Sequence, residues 1–262
     1  MTEQPQQAPP VCPRHPGTVA YVRCQRCERP VCPQCQVAAP VGVLCVDCVR
    51  EANRAAPAVK SRLGFKAAFG TPWVTYALIA ASVVTYLVAP VLLGADWRLH
   101  LGMWPQWSPE WGAAYPASGV EWYRWITSGF VHFGLLHLGL NMFVLWQFGT
   151  QLEPALGRAR FLGLYAGSLL GSSLVVFFLG GEGSVHGGAS GAIFGVIAAF
   201  AIVLRKLKLE WVNMAAFAGI WLVMGFFATG LSWQGHLGGA ITGALIMVAM
   251  LRSVDRRQNT TV

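Results

Sequence analysis

Six long apolar stretches constrain this chain more than any other feature of its sequence. Most reach the ~20 residues that a helix needs to cross a bilayer, and the fourth and sixth are near the short limit. Only 11% of the 262 residues are charged, against about 25% in an average globular protein. The stretches are residues 72–93, 127–149, 160–180, 188–204, 210–231 and 235–251. We therefore predict an all-α polytopic membrane protein with six spanning helices, and exclude a soluble globular enzyme.

The first 70 residues differ from the rest of the chain. They carry nine of the 19 Lys and Arg residues and four of the 11 acidic ones, which is +5 of the net +8. Residues 71–262 carry ten basic and seven acidic side chains, a net +3. All seven cysteines lie before residue 49. The chain is therefore expected to join a polar, cysteine-rich N-terminal region to an apolar membrane domain.

Four ligand pairs follow one another between residues 12 and 48. A two-residue spacer lets both members of a pair reach one tetrahedral ion, and eight ligands make two closed structural Zn²⁺ sites. The pairs are Cys12 and His15, Cys24 and Cys27, Cys32 and Cys35, and Cys45 and Cys48. We expect a cross-brace, in which the first and third pairs bind one ion and the second and fourth bind the other. An odd number of cysteines disfavours disulfides, and the histidine disfavours an iron–sulfur cluster.

This ladder resembles a B-box-type zinc finger, although a B-box usually ends in histidines where this chain has Cys45 and Cys48. So short a segment has little core beyond its metals, so we expect a module that binds a cytosolic protein partner. A RING-type ubiquitin ligase is the alternative by spacing. The basic segment from Arg50 to Phe69 favours a juxtamembrane anchor over a nucleic-acid patch, because it directly precedes a span. The predicted domains are a disordered tail (1–10), the zinc-binding domain (11–50), a basic linker (51–70), the six-helix domain (71–252) and a cytoplasmic tail (253–262).

The distribution of basic residues predicts the orientation of the spans. With the N-terminal domain inside, the inner segments carry Arg158, Arg160, Arg205, Lys206, Lys208, Arg252, Arg256 and Arg257, and the outer loops carry only Arg98 and Arg124. By the positive-inside rule both termini are cytoplasmic. Reduced thiols also fit that compartment. Fifteen arginines against four lysines suggest a bacterium, and hence a multi-pass protein of the cell membrane.

The first outer loop, residues 94–126, is rich in tryptophan. It contains Trp97, Trp104, Trp107, Trp111, Trp122 and Trp125. Tryptophan prefers the membrane interface, so the loop is expected to lie partly in the outer leaflet. An ordinary folded loop with a small core is the alternative, and composition does not separate the two.

Polar side chains inside predicted spans are the candidates for function, because they are expensive in a bilayer. His137 and Asn141 are four residues apart and share one helix face. Ser190 follows two glycines and begins the fourth span, where the helix dipole and free N–H groups favour an anion. Glycine ridges in the fourth and sixth spans allow close packing, which would bring Ser190 beside His236 as a nucleophile–base pair.

Each of these residues also has a plainer interpretation. A serine at a helix start is usually a cap, and a histidine in a span can join helices. Together, however, the residues favour a catalytic site, because all four map to the outer third of the bilayer, namely His137, Asn141, Ser190 and His236. The only acidic residues between 127 and 251 are Glu153, Glu182 and Glu210, none of them placed to orient His236. A Ser–His dyad is therefore expected instead of a Ser–His–Asp triad.

Residues 72–252 resemble the rhomboid family of intramembrane serine proteases. The resemblance is carried by Tyr123-Arg124, His132-x4-His137-x3-Asn141, Glu153-x3-Gly157, Gly188-x-Ser190-Gly191 and His236-x2-Gly239-x3-Gly243. It implies Ser190 as nucleophile, His236 as general base, and an oxyanion hole of His137, Asn141 and the Ser190 N–H. It implies structural roles for Arg124, His132 and Glu153, and no cofactor in catalysis. Three residues depart from the family: Tyr123 stands in place of Trp, Gly235 stands where Ala is usual, and Phe194 stands where some members have a Tyr that stacks on the histidine.

We expect an intramembrane endopeptidase that acts on transmembrane protein substrates in a lipid bilayer and binds no nucleic acid. The main alternative is a catalytically silent adaptor that binds client helices and recruits a cytosolic partner through the zinc module. A transporter lacks support, because no acidic relay lies within a span and no paired broken helices are evident. A zinc metalloprotease lacks the HExxH motif.

Overall fold

The computed structural model describes residues 8–40, 42–56, 61–65, 70–105, 121–181, 184–227 and 232–259. The chain divides into two compact units, Met1–Ala58 and Val59–Val262. Several predicted features lie outside the described residues, namely most of the N-terminal tail (1–7), Lys60, Lys66, Trp107, Trp111, Glu182 and the last three residues of the C-terminal tail.

The first unit is a small α/β module built around its cysteines. Its elements are β1 (Val11–Cys12), β2 (His15–Val19), a 3-10 turn (Pro33–Cys35), β3 (Gln36–Ala38), β4 (Val43–Cys45) and α1 (Val46–Ala55). β1 pairs antiparallel with β2, and β3 pairs antiparallel with β4. Six of the seven cysteines are buried, and among the described residues Ala20 and Val31 are buried with them, while Val43, Leu44 and Val46 pack against this core. A core made mostly of thiols is typical of a domain that metal ions hold together.

The second unit is helical, as the sequence predicts. Its helices are α2 (Trp73–Leu93), α3 (Trp97–Leu101), α4 (Arg124–Thr127), α5 (Leu135–Leu156), α6 (Arg158–Leu179), α7 (Ser190–Lys206), α8 (Val212–Phe227) and α9 (Trp233–Asn259). Within the described residues, three helices are long and apolar enough to cross a membrane: α2, α6 and residues 233–256 of α9. The bent pair of residues 124–130 and α5 makes a fourth if it is counted as one span. α7 and α8 are shorter, with 17 and 16 residues.

The expectation that residues 127–149 form one helix is wrong at its start. The chain bends by 97° between Phe130 and Leu135. Val131 and Gly134 adopt extended conformations, with ψ angles of 127° and 166°, so the helical hydrogen-bond ladder is interrupted there. His132 therefore lies in the bend that precedes α5. Hydropathy does not detect this break, since the residues on both sides of it are apolar.

The core of the second unit lies among α5, α6, α7 and α9. Its largest buried side chains include Leu145, Phe161, Leu164 and Met247. The glycine ridges of α7 and α9 face each other, because a Cβ added at Gly239 would overlap the carbonyl oxygen of Gly191, and one at Gly243 would overlap Gly195. This seam places the first turns of α7 and α9 side by side.

Two tryptophans in the described part of the tryptophan-rich loop are buried. Trp97 in α3 is 1% exposed and packs with Ala89 and Val131. Trp104 is also buried, and its indole N–H donates to the carbonyl of Leu99 at 3.0 Å. Trp122 is exposed. The loop therefore contains folded structure, as in the second of the two interpretations, while its place relative to a bilayer stays a prediction.

Candidate active site and metal sites

Ser190 and His236 meet at the helix starts that the α7–α9 seam brings together. Ser190 is the first residue of α7, and His236 lies in the first turn of α9. The Ser190 Oγ is 3.0 Å from the His236 Nε2. His236 is 3% exposed. A hydroxyl at this distance can donate its proton to a neutral imidazole, which is the arrangement of a nucleophile and its base.

The ring of His236 is held by stacking. Phe194, one helical turn after Ser190, lies parallel to the imidazole with a centroid distance of 4.2 Å and an interplanar angle of 13°. No carboxylate among the described residues contacts the buried Nδ1 atom of His236. The aromatic ring thus fixes the plane of the imidazole where a serine-protease triad would use an acid.

His137 presents a donor to the same site. Its Nδ1 accepts a hydrogen bond from the Phe133 N–H at 3.4 Å, so the proton of the neutral ring is on Nε2. That atom lies against Gly188, whose φ is +131°, and a Cβ at Gly188 would stand only 3.0 Å from it. Glycine is needed here both for the backbone angle and for the close approach of His137.

Asn141 lies one turn after His137 on the same face of α5. Its Nδ2 donates to the carbonyl oxygen of His137 at 2.8 Å, and the amide nitrogen carries a second N–H. Asn141 is 8% exposed. Ser190 and His236 both line three cavities, and the smallest of them is about 20 Å³. A second, of about 140 Å³, has an apolar lining that includes Val144, Ile193 and Trp221.

The third cavity, of about 290 Å³, is more polar. It is lined by Phe133, His137, Gly181, Ser184, Val185, His186, Gly187, Ser190, Ser232, Trp233, Gln234 and His236. The dyad lies between an apolar cavity and a polar one. A polypeptide could enter from one side and water from the other.

The eight predicted metal ligands form two tetrads in the first unit. One consists of Cys12, His15, Cys32 and Cys35, and the other of Cys24, Cys27, Cys45 and Cys48, with the ligand atoms of each within 4.8 Å of one another. The His15 Nδ1 is 3.2 Å from the Cys32 Sγ and 3.4 Å from the Cys35 Sγ. Ligands on a tetrahedral zinc ion are about 3.5–3.8 Å apart, as Zn–S bonds of about 2.3 Å require. The donor sets and their spacing fit zinc.

The environment favours the anion at some thiols of the tetrads and not at others, since burial raises the pKa of Cys35 to about 11 and that of Cys48 to about 12. Backbone N–H groups, first that of Cys32, lower the pKa of Cys12 to about 6. Burial acts to raise the pKa of Cys24, but N–H groups led by that of Cys45 outweigh it and lower the pKa to about 6. A metal ligand must be the thiolate, so these hydrogen bonds favour the metal-binding form. All seven cysteines are free, without a disulfide between them.

Comparison with known proteins decides the family. Residues 119–253, just over half of the chain, match the rhomboid domain. The chain belongs to the rhomboid family. Residues 7–39 of this rhomboid protein match the B-box zinc finger, so the match ends before Cys45 and Cys48, the pair that departs from the B-box pattern.

Relatives of this rhomboid protein are similar to it over half of the chain or more. The rhomboid protease GluP of Bacillus subtilis is 35% identical over 135 residues, 50% of this chain and 26% of that protein. Rhomboid protein 1, mitochondrial, of Saccharomyces cerevisiae is 30% identical over 51% of this chain and 43% of its own length. The rhomboid protease GlpG of Serratia proteamaculans is 26% identical over 66% of this chain and 60% of its own length. The chain thus spans less than two thirds of each of these relatives.

Arg124 fastens the loop of the rhomboid domain that precedes the bend. It is 4% exposed, forms an ion pair with Glu121, and donates to the carbonyl of Gly102 at 3.0 Å. The guanidinium carbon is 5.5 Å from the ring centroid of Tyr123, so a tyrosine provides the aromatic neighbour where the family has tryptophan. Glu121 was missed by sequence reasoning, although it lies three residues before Arg124.

Glu153, His132 and Gly157 support the helices around the dyad. The carboxylate of Glu153 is 1% exposed and accepts the N–H groups of Val74 and Thr75 at 3.0 and 2.8 Å, which caps the start of α2. His132 is fully buried, with its ring centroid 5.1 Å from that of His137. Gly157 joins α5 to α6 with a φ of +85°. His132 therefore packs beside a residue of the site, whereas Glu153 and Gly157 act on the ends of helices.

Sequence reasoning also missed His186. It lies in the loop before Ser190, outside the predicted spans, so the argument from polar residues within the membrane did not reach it. Its backbone pairs reciprocally with Met103 at 2.8 Å, and both ring nitrogens contact serine hydroxyls. The available signal was a histidine next to the Gly187-Gly188 pair that precedes the nucleophile.

Proposed function

We propose that this rhomboid protein is an intramembrane serine endopeptidase that cleaves transmembrane segments of membrane proteins. The observation that carries the proposal is the 3.0 Å contact between the Ser190 Oγ and the His236 Nε2, between an apolar and a polar cavity. Membership of a family with relatives named rhomboid proteases supports it. No metal or cofactor takes part in the proposed reaction.

In the proposed mechanism, His236 takes the proton of Ser190 as the hydroxyl oxygen attacks the scissile carbonyl carbon. The resulting imidazolium, held flat against Phe194, then protonates the leaving amine. Water enters from the polar cavity, His236 removes its proton, and the acyl-enzyme is hydrolysed. His236 returns that proton to the Ser190 oxygen as the acyl C–O bond breaks, so the carboxylic acid product leaves and Ser190 is again a free hydroxyl.

The proposed oxyanion hole has three donors. Ser190 begins α7, so its backbone N–H is free of the helical ladder and lies at the positive end of the helix dipole. The His137 Nε2–H faces Gly188, two residues before Ser190. Asn141 offers the amide N–H that is not bonded to the His137 carbonyl. Preorganised donors of this kind stabilise the tetrahedral intermediate.

The substrate in this proposal is a membrane-embedded helix that unwinds locally. A helix hides its carbonyls in hydrogen bonds, so the scissile bond must leave the helical conformation before Ser190 can attack. Small or helix-breaking residues near the cleavage site are therefore expected. The apolar cavity, with Leu140, Val144 and Ile197 in its wall, suits the side chains of such a segment.

We further propose that six helices of this chain span the bilayer: α2, the bent pair ending in α5, α6, α7, α8 and α9. The shorter α7 and α8 are apolar throughout their interiors, and about 17 residues is the lower limit for a span. Both termini are then cytoplasmic by the positive-inside rule, in the cell membrane of a bacterium.

The N-terminal module is proposed to bind two structural Zn²⁺ ions and a cytosolic protein partner. Each tetrad supplies four ligands, which close the coordination shell of zinc and leave no open position for catalysis. The module spans residues 11–50 in the predicted division, with the basic linker (51–70) leading to the membrane domain and a tail (253–262) after it.

The first prediction concerns Ser190. The purified full-length protein in detergent is expected to react with a fluorophosphonate probe at Ser190 and to cleave a transmembrane reporter. Ser190→Ala and His236→Ala should abolish both, because each removes one member of the dyad. Ser82→Ala removes another buried serine hydroxyl, which donates to the Leu78 carbonyl within α2, and should leave both reactions intact.

The alternative is a silent adaptor that binds client helices and recruits a partner through the zinc module. The intact Ser190–His236 contact disfavours it. The adaptor would be favoured if the folded wild-type protein neither reacted with the probe nor cleaved any reporter. It would also have to bind client proteins, and the Ser190→Ala variant would have to bind them equally well.

A further inference from the structure

A chain of hydrogen bonds crosses the mouth of the candidate active site through His186. The His186 Nδ1 is 2.9 Å from the Ser232 Oγ, and its Nε2 is 2.9 Å from the Ser184 Oγ. Ser232 lies immediately before α9, and its Oγ accepts the Gly235 N–H at 3.2 Å. The histidine thus connects the loop that leads to Ser190 with the start of the helix that carries His236.

The direction of each hydrogen bond in this chain follows from its two ends. The Ser184 hydroxyl donates to the carbonyl of Gly181 at 2.7 Å, so its oxygen accepts the Nε2–H of His186. The neutral ring then has an unprotonated Nδ1, which accepts the hydroxyl proton of Ser232. These hydrogen bonds run from the Gly235 N–H of α9 to the carbonyl of Gly181 in the loop, and every donor among them has an acceptor.

This arrangement needs a neutral imidazole. Burial lowers the pKa of His186 to about 4, so the ring is uncharged at neutral pH. The two ring nitrogens then serve as one donor and one acceptor, which the chain requires.

The same loop and helix carry the reacting atoms. The backbone of His186 is fixed by its reciprocal bonds to Met103, and Ser190 follows only four residues later. On the other side, the carbonyl of Ser232 accepts the N–H of His236 at 3.1 Å. A shift of Ser232 relative to His186 would therefore change the distance between the Ser190 Oγ and the His236 Nε2.

We propose that His186 is a positioning residue, which sets the separation of Ser190 and His236 by tying Ser232 to the loop before the nucleophile. The inference rests on the proposed protease function of the dyad. It gives this chain a histidine that joins the loop carrying Ser190 to the helix carrying His236 through serine hydroxyls.

The test compares His186→Leu with His186→Asn and His186→Gln in the full-length protein. Leucine fills the space without hydrogen bonds, whereas an amide offers one donor and one acceptor about as far apart as the ring nitrogens. The measured quantity is the rate at which Ser190 reacts with a small fluorophosphonate, which does not depend on substrate binding. We expect about a tenfold loss with leucine, in line with a displacement of a fraction of an ångström. At least one of the two amide variants should stay within about threefold of wild type.

A second variant tests the hydrogen bond between His186 and Ser232 directly, and it keeps the test informative if His186→Leu does not fold. Ser232→Ala removes the hydroxyl on the α9 side, so it should also slow labelling, and the double variant with His186→Leu should be no slower than the slower single variant. Wild-type rates in His186→Leu, equal losses with leucine and both amides, or additive losses in the double variant would each overturn the positioning role. An unreactive wild-type Ser190 would instead overturn the protease proposal.

Discussion

Phe194 is the residue that most clearly separates this site from a triad. It stacks on His236 at 4.2 Å, and no described carboxylate reaches that ring. A stacked pair of rings contributes about 0.5–1.5 kcal/mol beyond its burial. Phe194→Leu should therefore slow labelling of Ser190 by about two- to tenfold, whereas Phe194→Tyr keeps the ring and should stay near the wild-type rate.

Phe200 provides a matched control on the same helix. Its ring packs edge-on against Phe148 with a centroid distance of 5.4 Å, away from the dyad. Phe200→Leu removes the same atoms and should lower thermal stability without changing the labelling rate of the folded protein. Equal rate losses in the two variants would show that Phe194 acts through general packing and not through His236.

At the scale of single residues, the sequence predicted most of the candidate site. Ser190, His236, His137 and Asn141 stood out because each is a polar side chain in an apolar span, and the structure places all four around one pair of cavities. His186 did not stand out, since a histidine in a loop between spans does not have the free-energy cost of a polar side chain inside the bilayer. Its importance depends on Ser232, which is 46 residues away.

The α7–α9 seam is the element that decides whether the dyad forms. A Cβ at Gly239 would overlap the carbonyl of Gly191, so Gly239→Ala must push the helices apart. Overpacking of this kind typically costs about 1–3 kcal/mol. Gly239→Ala should lower the thermal unfolding midpoint in detergent and also slow the labelling of Ser190, because the two helix starts separate.

Gly163 on α6 is the control for this prediction. A Cβ there would meet nothing within 4 Å, and alanine is favoured over glycine in a helix by about 1 kcal/mol. Gly163→Ala should leave the unfolding midpoint unchanged or higher and the labelling rate unaltered. If both alanines act alike, close backbone contact is not what holds the seam.

At the scale of elements, the sequence predicted helices better than it predicted their breaks. The apolar stretches at 72–93 and 160–180 correspond closely to α2 and α6. The stretch at 127–149 does not correspond to one helix, because its bend near His132 is formed by extended backbone and long-range contacts such as that of Arg98 with the His132 carbonyl. Neither the extended backbone nor the long-range contacts can be predicted from the local amino-acid composition. The number of helices that span the bilayer accordingly stays a prediction.

The whole molecule consists of two units with separate cores. One core is made of cysteines and the other of apolar helix faces. Part of the predicted linker belongs to the second, since Leu63 and Phe65 are buried in its helical core and the Arg160 guanidinium carbon lies 5.0 Å from the Phe65 ring centroid. Helix α1 continues to Ala55, beyond the predicted domain boundary at residue 50. The sequence did not show either feature, because both segments are polar and short.

Removal of metal should therefore affect the two units differently. Elemental analysis of the full-length protein is expected to return about two zinc ions per chain. A strong chelator should unfold the first unit, seen as rapid proteolysis near Arg26 and Arg54, because few apolar side chains remain to hold it. The rate of Ser190 labelling should stay within about twofold of the untreated protein, since the dyad needs no metal.

Two pairs of substitutions test whether each tetrad of the cross-brace binds its own zinc ion. Cys12→Ser with Cys32→Ser removes ligands from one tetrad, and Cys24→Ser with Cys27→Ser removes them from the other. Each variant should lose about one of the two ions, because the tetrads share no ligand. A single ion in the wild-type protein, or loss of both ions from either variant, would mean that the two sites are not independent. A large fall in labelling after chelation would instead indicate that the zinc module controls the dyad.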